Sequence, residues 1–425
     1  MTRAETLATR MPATASHSSA DSTSDHRRPW LPVLAAMFII GWGGNQFTPL
    51  LVAYRQHSGY STTAVDTFLG AYVVGLAPGL LIASALSDRH GRRPVLLAGM
   101  LASIAGSTAL ALGDAGSAAI LIGRMLSGLA VGIALAVGSS WVKELSTPSF
   151  DPGADAGTGA RRASIGLTLG LGIGPGVAGV LAQWAPWPLV LPYLVQIGLA
   201  LPLLVLLWRR GVETRFDTSG QSLRQRLRVP AVAHRRFRWV ILPMAPWIFG
   251  SAGVAYAIVP QLVDGKIGRW ALLYATALTV STLGTGVLVQ PIARRLDSTS
   301  TARAVFISMV LMSTGLAAAA LAAALRSPWL GFIVALLLGA AYGIAVVSGL
   351  LEIQRIAAPD ELAGLSGVYY AISYIGFLLP ATLAGLSHWL GYPTMLIGLT
   401  VLAVCCTATI GTAWSKHLPV NALSE

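Results

Sequence analysis

The sequence predicts an all-α membrane protein: twelve transmembrane helices in two six-helix bundles related by pseudo-two-fold symmetry. Three observations carry this expectation. The 425 residues are 54% hydrophobic and only 11% charged, with a mean hydropathy of +0.67, whereas soluble proteins carry about 25% charged residues. Apolar runs bounded by charges and turn residues recur twelve times, each near the ~20 residues that a helix needs to cross the hydrocarbon. A polar, basic interval over residues 209–238 divides these runs six and six.

In chain order the first bundle, 30–208, takes spans at 30–54, 62–86, 94–112, 118–142, 163–184 and 189–208. The second, 239–414, takes 239–262, 270–293, 304–325, 328–351, 362–388 and 393–414. Glycines interrupt the second, fifth and eleventh, so length carries those assignments. Residues 1–29 are rich in Ser, Thr and Ala with no apolar run, which predicts a disordered tail; a cleaved leader is not expected, since the first run starts only at Trp30 and is too long for one. The 209–238 interval reads as a basic linker or as one holding an amphipathic surface helix near 223–232. A short polar tail, 415–425, ends the chain, and the adjacent Cys405 and Cys406 imply no disulfide framework.

The net charge of +12 would suggest a nucleic-acid partner in a soluble chain. Its placement argues otherwise. Of the 29 Lys and Arg, only Arg55, Lys266, Arg269 and Arg326 fall in loops on one side and Arg124 within a span; all others lie on the side of the termini. Lys and Arg mark the cytoplasmic side of short loops, so both termini are expected in the cytoplasm and no nucleic acid is implied.

The halves are also alike. "GRMLSGLAVGIALAVGSSWVKEL" in the fourth span aligns without gaps to "VALLLGAAYGIAVVSGLLEIQRI" in the tenth, pairing Gly128 with Gly339 and Gly132 with Gly343. Internal repetition in a polytopic chain is the mark of a transporter built from two bundles, although two Gly-rich helices can also match by chance.

Between spans two and three stands "SALSDRHGRRPVLLAG", with Asp88, Arg89, Gly91, Arg92 and Arg93. This resembles the signature of the major facilitator superfamily, with Ser84 in place of its first Gly, and "RMLSGLAVG" around Arg124 is similar to the family's second motif. The resemblance implies alternating access and a gating role for the Asp88–Arg93 loop, with Glu144 as the partner of Arg92; the plainer reading is that these Arg residues only set topology. In the fifth span, "SIGLTLGLGIGPGVAGVLAQW" puts Gly166, Gly170 and Gly174 on one face, where a neighbouring backbone can approach. Pro175 lacks the amide proton that would bond the Leu171 carbonyl, which predicts a bend. The pattern resembles the motif of the drug:proton antiporter branch, which implies gating roles for Gly170, Gly174 and Pro175; plain packing is the other reading.

Charge inside a membrane is costly and therefore informative. Only Asp66 and Arg124 lie within the spans. At 1.5 Å per residue they sit about 6 Å and about 9 Å below the outer edge, so a pair is feasible. Proton coupling is one role for both. For Asp66 the alternative is helix capping, since Thr63-Ala-Val-Asp66 has capping-box spacing; for Arg124 it is cavity electrostatics or snorkelling.

Asn45, Gln46, Trp247, Tyr256, Tyr370 and Tyr374 lie near mid-span, and an amide pair with aromatic walls suits a fairly apolar, uncharged or weakly cationic molecule. The resemblance adds that the first, fourth, seventh and tenth helices line the cavity. The expectation is a proton-coupled exporter of such compounds, not an enzyme, in a bacterial inner membrane and acting as a monomer. Its partners are a small-molecule substrate, protons and the bilayer. "NQFTPLLVAYR" is similar to actinobacterial members of the family, and 26 Arg against 3 Lys would fit a GC-rich genome. No nucleotide is implied, for there is no phosphate-binding Gly-Lys-Ser/Thr loop, and no cofactor or metal is expected. Uptake or facilitated diffusion is the alternative, favoured by the lack of a mid-membrane carboxylate, and a non-transporting sensor is a third.

Overall fold

The computed structural model describes residues 28–113, 116–155, 157–214, 230–358 and 361–417. The expected tail up to residue 27, the linker interior at 215–229 and the last residues from 418 lie outside them. The described chain is helical, and eleven helices are long and apolar enough to cross a membrane. The twelfth crossing is divided in two: Trp30–Asn45 and Phe47–Ser58. The first span was expected unbroken, and Pro49 explains the correction. It has no amide proton for the Asn45 carbonyl four residues earlier. The Thr48 hydroxyl instead bonds Asn45 Oδ1 at 2.8 Å, which fixes the amide at the break.

The other spans follow in order: Thr62–His90, Arg92–Ala111, Ser117–Glu144, Thr158–Trp184 and Leu191–Arg210, then Phe237–Val263, Gly265–Leu288, Arg303–Leu325, Pro328–Ile356, Gly364–Leu386 and Tyr392–Thr412. Several run about one turn farther than hydropathy suggests at the end bearing the termini, because charged residues there extend the helix into a polar zone. Two more expected spans are interrupted at prolines. The eighth ends at Leu288 and resumes at Gln290, ahead of Pro291. The eleventh tightens over Gly376–Leu378, ahead of Pro380. The fifth, in contrast, is helical throughout despite Pro175.

Glycines set how closely these helices pack. A Cβ on Gly128 would lie 1.9 Å from the Tyr72 carbonyl oxygen, and one on Gly132 would lie 2.5 Å from that of Leu76, so the fourth span rests directly on the backbone of the second. The aligned glycines do the same in the other half. Gly339 meets the Thr282 carbonyl at 2.4 Å and Gly343 that of Gly286 at 2.1 Å, so the tenth span rests on the eighth. The repeat read from sequence is thus a repeat of backbone contact.

Gly128→Ala is expected to lower the thermal unfolding midpoint of the purified protein, since overpacking costs roughly 1–3 kcal/mol. Gly172→Ala, whose Cβ would meet nothing within 4 Å, should leave it unchanged or raise it through helix propensity. Equal midpoints for the two variants would contradict this account of the packing.

Candidate functional site

On the face that bears the termini, Arg92 is the centre of a charge cluster within the first bundle. Its guanidinium is 2.8 Å from both Asp88 and Glu144 and donates to the Ser87 hydroxyl at 2.6 Å. Glu144 also accepts from the Thr214 hydroxyl. The expected Arg92–Glu144 partnership is present, whereas Arg89 is exposed and stands apart. Sequence reading missed Glu213. Its carboxylate accepts from the backbone N–H of Arg92 at 2.8 Å and of Arg93 at 3.0 Å, capping the positive end of the third span. The Arg93 side chain donates to the Trp208 carbonyl. Gly91 has φ +96, and a Cβ there would lie 2.5 Å from Glu213 Oε2, so glycine is needed twice over.

The second bundle carries a counterpart with different charges. Buried Arg236 holds Glu352 in a two-point pair at 2.7 and 2.8 Å and donates to the Lys416 carbonyl at 3.0 Å. Arg355 bridges Glu352 at 3.1 Å and pairs with Asp297. In the gapless alignment Arg355 occupies the place of Glu144, so the loop-to-helix pair is retained with its polarity reversed. Back in the first bundle, Arg162 lies over the Trp30 ring at 4.0 Å and bonds Asp151 at 2.6 Å, which holds that loop carboxyl below its usual range.

At mid-depth the bundles enclose a cavity of about 20 Å3 lined by Gly44, Asn45, Tyr72, Arg124, Leu171, Phe249, Tyr256, Leu283, Tyr342, Tyr374 and Phe377. Asn45 donates to the Leu171 carbonyl at 2.8 Å, the very group that Pro175 leaves unbonded. Arg124, 2% exposed, donates to the carbonyls of Gly44 at 3.1 Å and Phe68 at 3.4 Å. Its guanidinium lies 4.6 Å from the Phe47 ring centroid and 4.7 Å from that of Tyr72. From the second bundle, Phe249 stacks on Tyr374 at 3.9 Å and on Phe377 at 5.3 Å.

Of the expected substrate residues, the structure brings Asn45, Tyr256 and Tyr374 to this cavity and not the other three. Gln46, one residue and 100° round from Asn45, turns into the first bundle and donates to Ser107 at 3.1 Å. Trp247 is buried in the core, for it is two residues from Phe249 and therefore on nearly the opposite side of the helix. Tyr370 packs against Tyr369 at 5.3 Å, about 6 Å along the axis from Tyr374. The missed residues were partly legible: Phe249 is seven before Tyr256, a helical repeat, and Tyr342 adjoins Gly343 of the aligned motif. No carboxylate lines the cavity among the described residues.

The expected Asp66–Arg124 pair is not formed among the described residues, because the two side chains enter different interfaces. Asp66, fully buried, accepts from the Gln261 amide of the other bundle at 3.1 and 3.2 Å. Nor is Asp66 a cap. Ser61 caps this helix by accepting from Ala64 N–H at 3.2 Å, leaving Asp66 in the second turn, while Thr63 donates to the Ala384 carbonyl at 3.4 Å. Gln183 reaches the Arg269 carbonyl at 3.1 Å. These inter-bundle hydrogen bonds all lie on the side away from the termini.

The fifth-span glycines divide their work. Gly170 and Gly174 would place a Cβ 2.0 and 2.7 Å from the Phe38 and Trp42 carbonyls, so they seat the fifth span on the first, and Gly179 meets Thr276 across the bundles at 1.9 Å. Toward the termini, the fifth and eighth spans leave a groove of about 570 Å3, apolar apart from Thr168, that reaches Leu283 of the central cavity.

Residues 33–381 match the model of the Major Facilitator Superfamily. A chloramphenicol resistance protein of Pseudomonas aeruginosa is 26% identical over 239 residues, 55% of this chain and 55% of that protein. The MFS-type transporter clz19 of Cochliobolus lunatus is 29% identical over 154 residues, 36% and 28% of the two chains. The chain thus spans about half the length, or less, of these relatives. Among solved structures, the xylose transporter XylE from E. coli in a partially occluded inward-open conformation aligns with TM-score 0.67 at 13% identity, over 92% of this chain and 98% of that one. The human organic anion transporter MFSD10 aligns with TM-score 0.63 at 16% identity, over 91% and 99%. These structural likenesses show the fold.

Glu213→Ala is expected to lower the unfolding midpoint by removing a helix cap, a loss of about 1 kcal/mol. Gly91→Ala should cost more in the native background than in Glu213→Ala, where only the positive-φ strain is left. A double-mutant cycle measures this coupling, and additive losses would contradict the Gly91–Glu213 contact.

Proposed function

Because the chain belongs to the Major Facilitator Superfamily, whose members are transporters and not enzymes, we propose that it exports small, largely apolar compounds in exchange for protons. The setting is a bacterial inner membrane, with both termini in the cytoplasm and a single chain as the working unit. The observation that carries this reading is the Asp66–Gln261 bridge. It joins a protonatable, fully buried group in one bundle to a donor in the other, on the side where the bundles are closed. An ionised carboxylate accepts a strong, charge-assisted bond from the amide. Protonation from the outer side weakens that bond, so the bundles part there and the cavity opens outward; loss of the proton restores the bridge.

The two charge clusters on the termini-bearing face fit the same cycle. Each ties helix ends within its own bundle, Arg92 in the first and Arg236 with Arg355 in the second. Each bundle then rocks as one body about the cavity. The gating role of Asp88, Arg92 and Glu144 is to keep that end of the first bundle rigid, while Gly170, Gly174 and Pro175 hold the first and fifth spans together as the eighth swings. The export direction draws on the chloramphenicol resistance relative, and the apolar groove between the fifth and eighth spans supports substrates of low polarity.

In everted vesicles carrying an imposed proton gradient, a panel of neutral and acidic aromatic compounds that includes chloramphenicol is expected to provoke proton release. Asp66→Asn should reduce that release at least about tenfold, the effect of losing ~1.4 kcal/mol of coupling, while binding in detergent changes less than about threefold. Movement of a compound down its own gradient with no proton signal would sink the antiport reading and favour facilitated diffusion.

A further inference from the structure

We infer that the central cavity selects organic anions: a compound with an acidic oxygen that docks on Arg124 and an aromatic ring that enters the stack of Phe249, Tyr374 and Phe377. The inference rests on the transport reading and narrows its substrate class. Arg124 is the one charged side chain lining the cavity among the described residues. A guanidinium offers five N–H donors. Here the described acceptors are two backbone carbonyls, one at 3.1 Å and one at a long 3.4 Å, and no carboxylate pairs with it among the described residues. A buried cation held by two carbonyl dipoles and two ring faces, without a described counter-charge, is under-compensated, and an incoming anion supplies what is missing.

Alternative partners are engaged elsewhere. Asp66 is bound to Gln261 across the bundle interface. Asn45 donates to Leu171 and accepts from Thr48, so the expected amide of the cavity is occupied at both ends. The Phe47 and Tyr72 rings lie against the guanidinium at 4.6 and 4.7 Å, Nε and Nη1 donate to the two carbonyls, and Nη2, in no described hydrogen bond, is the donor for an incoming oxyanion. Next to it stand the near-parallel rings of Phe249 and Tyr374, 3.9 Å apart. A flat aromatic ligand that slips between them replaces ring–ring contact by ring–ligand contact, so little stacking is lost as the 20 Å3 cavity opens to admit it.

The test uses the full-length protein in detergent and three probes of one shape: 1-naphthoate, neutral 1-naphthamide and cationic 1-naphthylmethylammonium. Titration calorimetry is expected to show naphthoate binding about tenfold tighter than the amide, as for a charge-assisted bond in place of a neutral one, with the ammonium weakest. Arg124→Gln should bring the acid and the amide within about twofold of each other, and Arg124→Lys should retain part of the preference. If Arg124→Gln does not fold, the order of the three probes on the native protein still decides. An ammonium that binds as well as the acid, a preference that survives in Arg124→Gln, or no binding of naphthoate would each overturn the inference. Binding in detergent involves no gradient, so this result is independent of whether proton exchange is observed in vesicles.

Discussion

A membrane interior offers no water to backbone groups, and much of this structure follows from satisfying the few that its prolines release. Pro175 leaves the Leu171 carbonyl without its helical partner, and the Asn45 amide, reaching across from the first span, takes it at 2.8 Å. Asn45 is free to do so because its own helix ends there, broken ahead of Pro49. One proline's loss is thus repaired by a residue that another proline positions. The fifth span runs on without a break, docked through Gly170 and Gly174 on the carbonyls of the first. Arg124 also reaches backbone, donating to the Gly44 and Phe68 carbonyls, so two side chains of the cavity wall are held by carbonyls of neighbouring spans.

The two halves solve one packing problem in the same way and one electrostatic problem in opposite ways. Gly128 with Gly132 and Gly339 with Gly343 all bring helices within backbone contact, a steric need that sequence repetition records directly. The charge clusters do not repeat residue for residue. Where the first bundle sets Glu144 against Arg92, the second sets Arg355 against Asp297. An ion pair is indifferent to which partner carries which sign, so the geometry persists while the identities change places.

This difference explains what could be read in advance. Spans, bundles and the glycine contacts were legible because hydropathy and small-residue spacing are local properties of the chain. The Arg92–Glu144 pair was legible because the motif singled out Arg92 and Glu144 ends the fourth span on the same side. Glu213 was not, since it follows the sixth span yet caps the third, and no spacing announces a partner about 120 residues away. The substrate residues divide on rotation. Asn45 and Gln46 were indistinguishable by type, and only the 100° step between them puts one at the cavity and the other against Ser107.

Rotation also separates the two charges that depth alone had brought together. Asp66 and Arg124 sit at similar levels, yet one faces Gln261 across the interface and the other faces a ring-lined cavity. Had they formed a salt bridge, protonating the acid would have freed the guanidinium directly, and occupancy and protonation would have competed at one place. Kept apart, they act at different places in the proposed cycle: Asp66 on whether the bundles meet, Arg124 on what lies between them. Coupling between the two sites then has to pass through the positions of the bundles, because each site alters the free-energy difference between the same two arrangements. The second span carries both influences: it bears Asp66, offers Phe68 to Arg124, and presents Tyr72 to the rings of the opposite bundle.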